Sequence, residues 1–242
     1  MPDALVAYLN IEKIQATSMA FFQRPNLEGF RASLTRKDNL DVVISPNDIL
    51  IAEEMARRPS DDPGSIKSLV MTAANDGYAA VILDLPGERT EWAVQPLIAA
   101  NTVLLVAQPS FIDLQRVVDL YRMLTETLAG QHRVADDAIY LVMNEVSDKD
   151  NTLRVPRDFQ RAAMDFLKRQ FPPAIGGIPL DPAVRLEQNR GQLPVMGLDR
   201  FGRAIRSLAD TLFPGTVASA NVNGRHAVER SGFRKVLDFA GF

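Results

Sequence analysis

The sequence predicts an α/β domain, a three-layer, doubly wound arrangement with a mainly parallel sheet. Three observations carry that prediction. The chain contains short, nearly pure apolar runs at 40–45 (LDVVIS), 79–85 (AAVILDL), 102–107 (TVLLVA), 138–143 (AIYLVM) and, less purely, 174–180 (AIGGIPL). They are rich in Val, Ile and Leu and do not alternate with polar residues, the pattern of strands buried on both faces by helices. Between the runs lie segments with apolar residues at three- and four-residue spacing, so strands and helices alternate as in βαβ units, whose right-handed crossovers place helices on both faces. The composition is that of a folded chain, with 46% hydrophobic and 24% charged residues among 242. At about 150 residues per domain this length suits one large domain, or one domain with an appendage.

The helical segments follow in order. Residues 65–75 form a short one that starts after Gly64-Ser65, and 88–100 form another. The clearest is 111–128, where Leu114, Val117, Val118, Tyr121, Leu124 and Leu128 fall on one face. Residues 155–170 carry Phe159, Ala163, Phe166 and Leu167, and 198–212 carry Leu198, Phe201, Ile205, Leu208 and Leu212 before Pro214-Gly215 ends the pattern. Glu53 and Glu54 lie four residues before Arg57 and Arg58, the pairing of a solvated helix face. Two ends stand apart. Residues 1–39 read as a helical N-terminal segment with pieces at 5–19 and 26–34, and 214–242 read as a mobile, mildly basic tail with an amphipathic piece at 227–239. The α/β domain is therefore expected at 40–213.

Composition removes whole classes of chemistry. The chain has no cysteine, which excludes disulfides, thiolate metal sites and cysteine nucleophiles. Its two histidines, His132 and His226, exclude a three-histidine metal site. A net charge of −3 disfavours a generally basic nucleic-acid-binding protein. No apolar run approaches the length of about 18–20 residues that spans a bilayer, and the start MPDALVAYLN lacks a basic region, so a cytoplasmic location is expected.

In an open α/β sheet, ligands bind beyond the carboxyl ends of the strands. After the second run stand Asp84-Leu85-Pro86-Gly87. An acid at the end of an apolar strand is the form of a Walker B carboxylate, which holds Mg²⁺ beside a triphosphate; the same residue can equally cap a helix. After the third run, Ser110 is placed to cap the next helix. After the fourth comes Asn144-Glu145, where an Asn amide offers the donors and acceptor that read a purine edge, or forms a turn. After the fifth come Pro179-Leu180-Asp181-Pro182, with Asp181 as a helix N-cap and Pro182 in the first turn.

Four of these pieces stand in one order: VILDLPG (81–87), TVLLVAQPSFIDLQRV (102–117), LVMNEV (141–146) and IPLDPAVRLEQNRGQLPV (178–195). In that order the chain resembles the ParA/MinD superfamily of P-loop ATPases (SIMIBI class), and most closely its CpaE/TadZ pilus-assembly branch. The last piece is the most specific, with Ile178-Pro179, Asp181-Pro182, Asn189-Arg190-Gly191 and Pro194-Val195 ahead of a final amphipathic helix. The resemblance implies ATP and Mg²⁺ as ligands. It implies that Asp84 is the catalytic and metal-binding carboxylate, that Asn144 faces the adenine, that Pro179 and Asp181 border the base, and that Pro86 and Gly87 form the switch segment. It also implies a homodimer that positions a pilus or secretion apparatus, or partitions plasmid DNA, at a membrane or nucleoid surface.

The sequence departs from the family in one respect. No GxxxxGK[ST] and no KGGxGK[ST] occurs, and none of Lys13, Lys37, Lys67, Lys149, Lys168 and Lys235 follows a glycine. Gly64-Ser65-Ile66-Lys67-Ser68 reads as a helix start rather than a phosphate loop. The family is thus N-terminally incomplete in this chain. Two readings remain open: an ATPase truncated at its N-terminus, or a degenerate, non-catalytic scaffold that keeps the fold and its partner surface. An unrelated nucleotide-binding α/β domain is a third.

Overall fold

The computed structural model describes residues 11, 14, 16–37, 40–46, 49–85, 93–128, 134, 138–147, 154–189 and 200–214. The described residues divide into two compact units, one holding those up to 103 together with 123–134, the other holding 104–122 and 138–214.

The first unit opens with two short helices, α1 (Met19–Gln23) and α2 (Leu27–Ala32). Asn26 starts α2 because its side-chain oxygen accepts from the Gly29 N–H at 3.0 Å. Gly29 is required by proximity: a Cβ there would overlap the Arg24 carbonyl oxygen and lie 2.8 Å from that of Ala20. Strands β1 (Leu34–Lys37) and β2 (Leu40–Val43) follow as an antiparallel pair, with Leu34 opposite Val43 and Lys37 opposite Leu40. The run at 40–45 was expected in a parallel sheet. It pairs instead with the segment immediately before it, because a two-residue connection allows an antiparallel hairpin whereas a parallel neighbour needs a long crossover.

Helix α3 (Ile49–Ala56) carries the expected i, i+4 pairs, with Arg57 and Glu53 at 3.8 Å and Arg58 and Glu54 at 3.9 Å. Helix α4 (Ile66–Asn75) starts at Ser65, whose hydroxyl accepts from the Ser68 N–H at 3.2 Å. The Gly64–Ser68 stretch is therefore a helix start, as its sequence indicates. The run at 79–85 contributes only a single bridge residue, Ile82, which is 47% exposed, in place of the expected buried strand. Helix α5 (Val94–Ala99) closes this part, shorter than the expected 88–100, of which 86–92 lie outside the described residues.

The core of this unit joins Phe21, Phe22 and Phe30 to Val43, Met55, Ile66, Leu69, Ala73 and Tyr78. Beside it lies a buried polar knot. The Asp41 carboxylate, 2% exposed, accepts from Arg36 Nε at 2.8 Å, from Arg36 Nη2 at 3.0 Å and from the Tyr78 hydroxyl at 2.9 Å. A buried carboxylate holds its charge only if donors replace the lost water, and these three do so. Tyr78 also packs edge-on against Phe30, ring centroids 5.6 Å apart. Burial, followed by its hydrogen bond to Asp41, pushes the Tyr78 phenol well above its ordinary range.

The second unit contains the parallel sheet. Strands β3 (Val103–Ala107), β4 (Ile139–Val146) and β5 (Ala174–Pro179) lie side by side in that order, and β4 runs parallel to β5. Helix α6 (Phe111–Arg122), which runs on into a π-turn (Met123–Thr127), follows β3, and α7 (Arg154–Leu167) connects β4 to β5. Helices α8 (Pro182–Asn189) and α9 (Arg200–Leu212) complete the described chain. Helix α7 packs on β4 and β5, and α9 packs on β5. The centre of β4 is buried through Leu141, Val142 and Met143. Strand β3 differs from its expected double burial: Val103, Leu105 and Ala107 are buried, while Leu104 and Val106 are 38% and 57% exposed. Tyr121 meets Phe171 edge-on at 5.1 Å, fixing the end of α6 against the approach to β5. The N-terminal piece at 5–19 lies largely, and the tail from Gly215 entirely, outside the described residues.

Two outcomes follow from this packing. Gly29→Ala is expected to lower stability by about 1–3 kcal/mol, because backbone carbonyls rather than a flexible side chain must give way; urea unfolding measures it. The Tyr78 phenol ionises near pH 10 in the unfolded chain but only at higher pH in the folded one. Above about pH 10 the unfolded state therefore binds fewer protons, and stability falls as pH rises. The decline in thermal midpoint between neutral and strongly alkaline pH should be shallower in Tyr78→Phe, which costs about 1 kcal/mol at neutral pH through its lost hydrogen bond.

Candidate functional site

The carboxyl ends of β3, β4 and β5 bring several polar side chains to one edge of the second unit. The pairing of β4 with β5 sets the geometry. Val146 stands opposite Pro179, and the Leu180 N–H donates to the Val146 carbonyl at 2.8 Å. That contact places the end of β5 and the start of α8 beside the end of β4.

Asn144 is half-buried near the end of β4. The ladder is irregular between Met143 and Val146, and Glu145, inside that irregularity, has φ +55°. A non-glycine residue in the left-handed region costs roughly 1–2 kcal/mol, and such strain collects where a bulge re-aims side chains. The Glu145 N–H donates to Asn144 Oδ1 at 3.0 Å. The Glu145 carboxylate in turn accepts from Gln108 Nε2 at 2.8 Å, tying the end of β4 to the residue that follows β3.

Gln108 is itself positioned by the start of α6. Its N–H donates to Asp113 Oδ2 at 2.8 Å, and the Asp113 N–H donates to the Ser110 hydroxyl at 3.1 Å. Ser110 thus has the helix-capping role expected of it. Pro179 is the buried last residue of β5. Asp181 precedes α8, and its Oδ1 accepts from the Ala183 N–H at 3.0 Å, the N-cap contact that the Asp-Pro pair implies.

Of the residues singled out in the sequence, the structure therefore gathers Asn144, Pro179 and Asp181 at the tips of two neighbouring strands. Asp84 belongs to the first unit, where it is exposed two residues after the bridge at Ile82. Pro86 and Gly87 lie outside the described residues, as do Arg190, Gly191, Pro194 and Val195. Sequence reasoning assigned no role to Gln108 and Glu145. The available signal was positional, since Gln108 directly follows the run at 102–107 and Glu145 stands two residues beyond the run at 138–143.

As chemistry, this edge offers amide donors, a carboxylate and backbone groups, which suits hydrogen bonding to a planar polar ring better than metal capture. Among the described residues there is no cluster of three His, Asp or Glu side chains able to hold a metal. No described helix is long and apolar enough to cross a membrane.

No protein family and no curated protein matches the sequence. Solved structures do match the fold. The septum site-determining protein MinD complexed with Mg-ADP, from Pyrococcus horikoshii OT3, superposes with a TM-score of 0.64 at 16% identity over 88% of this chain and 79% of that one. The MinD cell division protein of Aquifex aeolicus gives 0.58 at 19% identity, over 88% and 81%. The Aquifex aeolicus MinC:MinD cell division protein complex gives 0.60 at 18% identity, over 94% and 82%.

Asp181→Ala is expected to cost about 1 kcal/mol by removing the α8 cap. The loss should appear as faster amide exchange across 182–189. These comparisons and the parallel sheet with its helical connections give the chain the P-loop NTPase-like fold seen in MinD.

Proposed function

We propose that this chain is the core of a ParA/MinD-type positioning ATPase, with the edge formed by Asn144, Pro179 and Asp181 facing a nucleotide base. The observation that carries the reading is the joining of β4 and β5 at Val146 and Pro179, which supports a shared role for the residues that follow. The MinD-like fold supports it further, and one such neighbour is described as complexed with Mg-ADP.

The donor chemistry fits part of the group. Asn144 offers amide donors at a half-buried strand tip, suited to a purine. Asp84 is an exposed carboxylate after an apolar run, suited to Mg²⁺, which uses one or two carboxylates and takes its other ligands from phosphate and water. Pro86 and Gly87 would form the segment that senses the terminal phosphate. The phosphate cradle itself is carried by no glycine–lysine loop in this sequence. In this reading a segment beyond these residues supplies it, and 40–213 is the ATPase domain, with 1–39 an N-terminal helical segment that ends in strand β1 and 214–242 a flexible tail. When bound, Mg·ATP would bridge two copies, and the dimer would dock a pilus, secretion or partition apparatus at a membrane or nucleoid surface.

The same lack of a phosphate loop favours a second reading, a non-catalytic scaffold that keeps the fold and the partner surface. Calorimetric titration of the chain with Mg·ATP separates the two. Micromolar affinity, weakened at least about tenfold by Asp84→Ala, is the result expected of the nucleotide reading. No heat of binding at millimolar nucleotide would leave the scaffold.

A further inference from the structure

Helix α7 turns a charged stripe outward. Arg154, Asp158, Arg161, Asp165 and Lys168 follow one another at three- and four-residue spacing, all exposed, with Arg157 beside them. On the opposite side Pro156, Phe159 and Ala163 are buried, where the helix packs on β4 and β5. The cations stand where they cost the helix stability. Its first turn holds Arg154 and Arg157 and no acid, although the partial positive charge of a helix N-terminus favours carboxylates there. Arg154 and Arg161 both lean on Asp158, at 3.3 and 3.4 Å, and the first of these pairs has the less favourable order, base before acid. Arg157 forms no ion pair among the described residues. Two more guanidinium groups gather near the end of the helix, Arg122 over the exposed Phe166 ring at 5.8 Å and Arg169 over the Tyr121 ring at 5.3 Å.

We propose that the outer face of α7 docks an acidic helix of a partner protein. Folding does not explain a basic first turn, whereas charge complementarity to an acidic surface does. The chain as a whole is net negative, so the stripe is a local reversal of sign. The occupant is a protein rather than a nucleic acid because Asp158 and Asp165 alternate with the cations. A phosphate backbone repeats one sign and would meet those carboxylates. A helix repeats at the same three- and four-residue spacing, and sets acids against Arg154, Arg157, Arg161 and Lys168 with a base against Asp165. From Arg154 to Lys168 the stripe runs about 21 Å, long enough for several turns of a second helix. Arginine and exposed aromatic side chains, as in Arg122 and Phe166, are the types that anchor protein interfaces. The surface serves the ATPase and the scaffold alike, and its test uses no nucleotide.

The test is fluorescence anisotropy of a labelled, alanine-based helical peptide of about 18 residues, with Glu at three- and four-residue spacing along one face. It is titrated with the full chain at about 20 mM salt, where charge pairs are little screened. A Kd of about 100 μM or tighter is expected, weakened at least about fivefold by Arg157→Glu, by Arg161→Glu and by about 0.3 M salt, and kept by Arg157→Lys. Because it places an acid in the first turn, Arg157→Glu should leave the thermal midpoint unchanged or raise it, which separates lost binding from unfolding. No binding at about 1 mM, binding that both reversals leave unmoved, or equal binding of a peptide whose Glu residues are scattered around the helix overturns the proposal. Tighter binding of a DNA duplex of about 20 base pairs than of the peptide, lost with the same reversals, overturns it in favour of a nucleic-acid surface.

Discussion

The parallel pairing of β4 with β5 is the constraint on which the candidate site depends. Parallel neighbours need a helical crossover, and α7 supplies it while covering both strands. The pairing persists to Val146 and Pro179, and the Leu180 N–H continues it one residue further. If that register slipped by one residue, the alternation of side chains would turn the strand-end residues to the opposite face. The bulge at Glu145 sits between the pairs made by Met143 and Val146, and the helix start at Asp181 follows the last of them.

What the sequence made legible here was mainly local. The runs at 102–107, 138–143 and 174–180 are strands, and the helices at 65–75, 111–128, 155–170 and 198–212 appear within a few residues of their expected limits, because apolar period and capping residues are set by near neighbours. Ser65, Ser110 and Asp181 cap helices as their types suggest. The pairing of the run at 40–45 was not legible, since the partner segment LTRK has no apolar signature and is recognised only by its position across the hairpin. The segment at 79–85 has a strand's composition yet forms only one bridge. Composition reports that a residue suits a sheet, not that a partner strand is in reach.

The site was legible to a similar degree. Asn144, Pro179 and Asp181 come from the ends of apolar runs, which chain order alone identifies. The contribution of Glu145 was hidden because it depends on a backbone angle, and that of Gln108 because it depends on a contact across 37 residues. The buried knot of Asp41, Arg36 and Tyr78 was hidden for the same reason: two of its three members are neighbours on a hairpin, and the third arrives from beyond α4. Such networks are specified jointly by distant residues, each of which reads as an ordinary surface polar group when taken alone.

The most direct measurement of the central claim is photolabelling of the chain with 8-azido-ADP and Mg²⁺, followed by mapping of the modified peptide. The account places the label on residues next to the tips of β4 and β5, around Asn144 to Ser147 or Leu180 to Ala183, and requires that excess unmodified ADP suppress it. Label confined to other peptides, or label that excess ADP leaves undiminished, would contradict it.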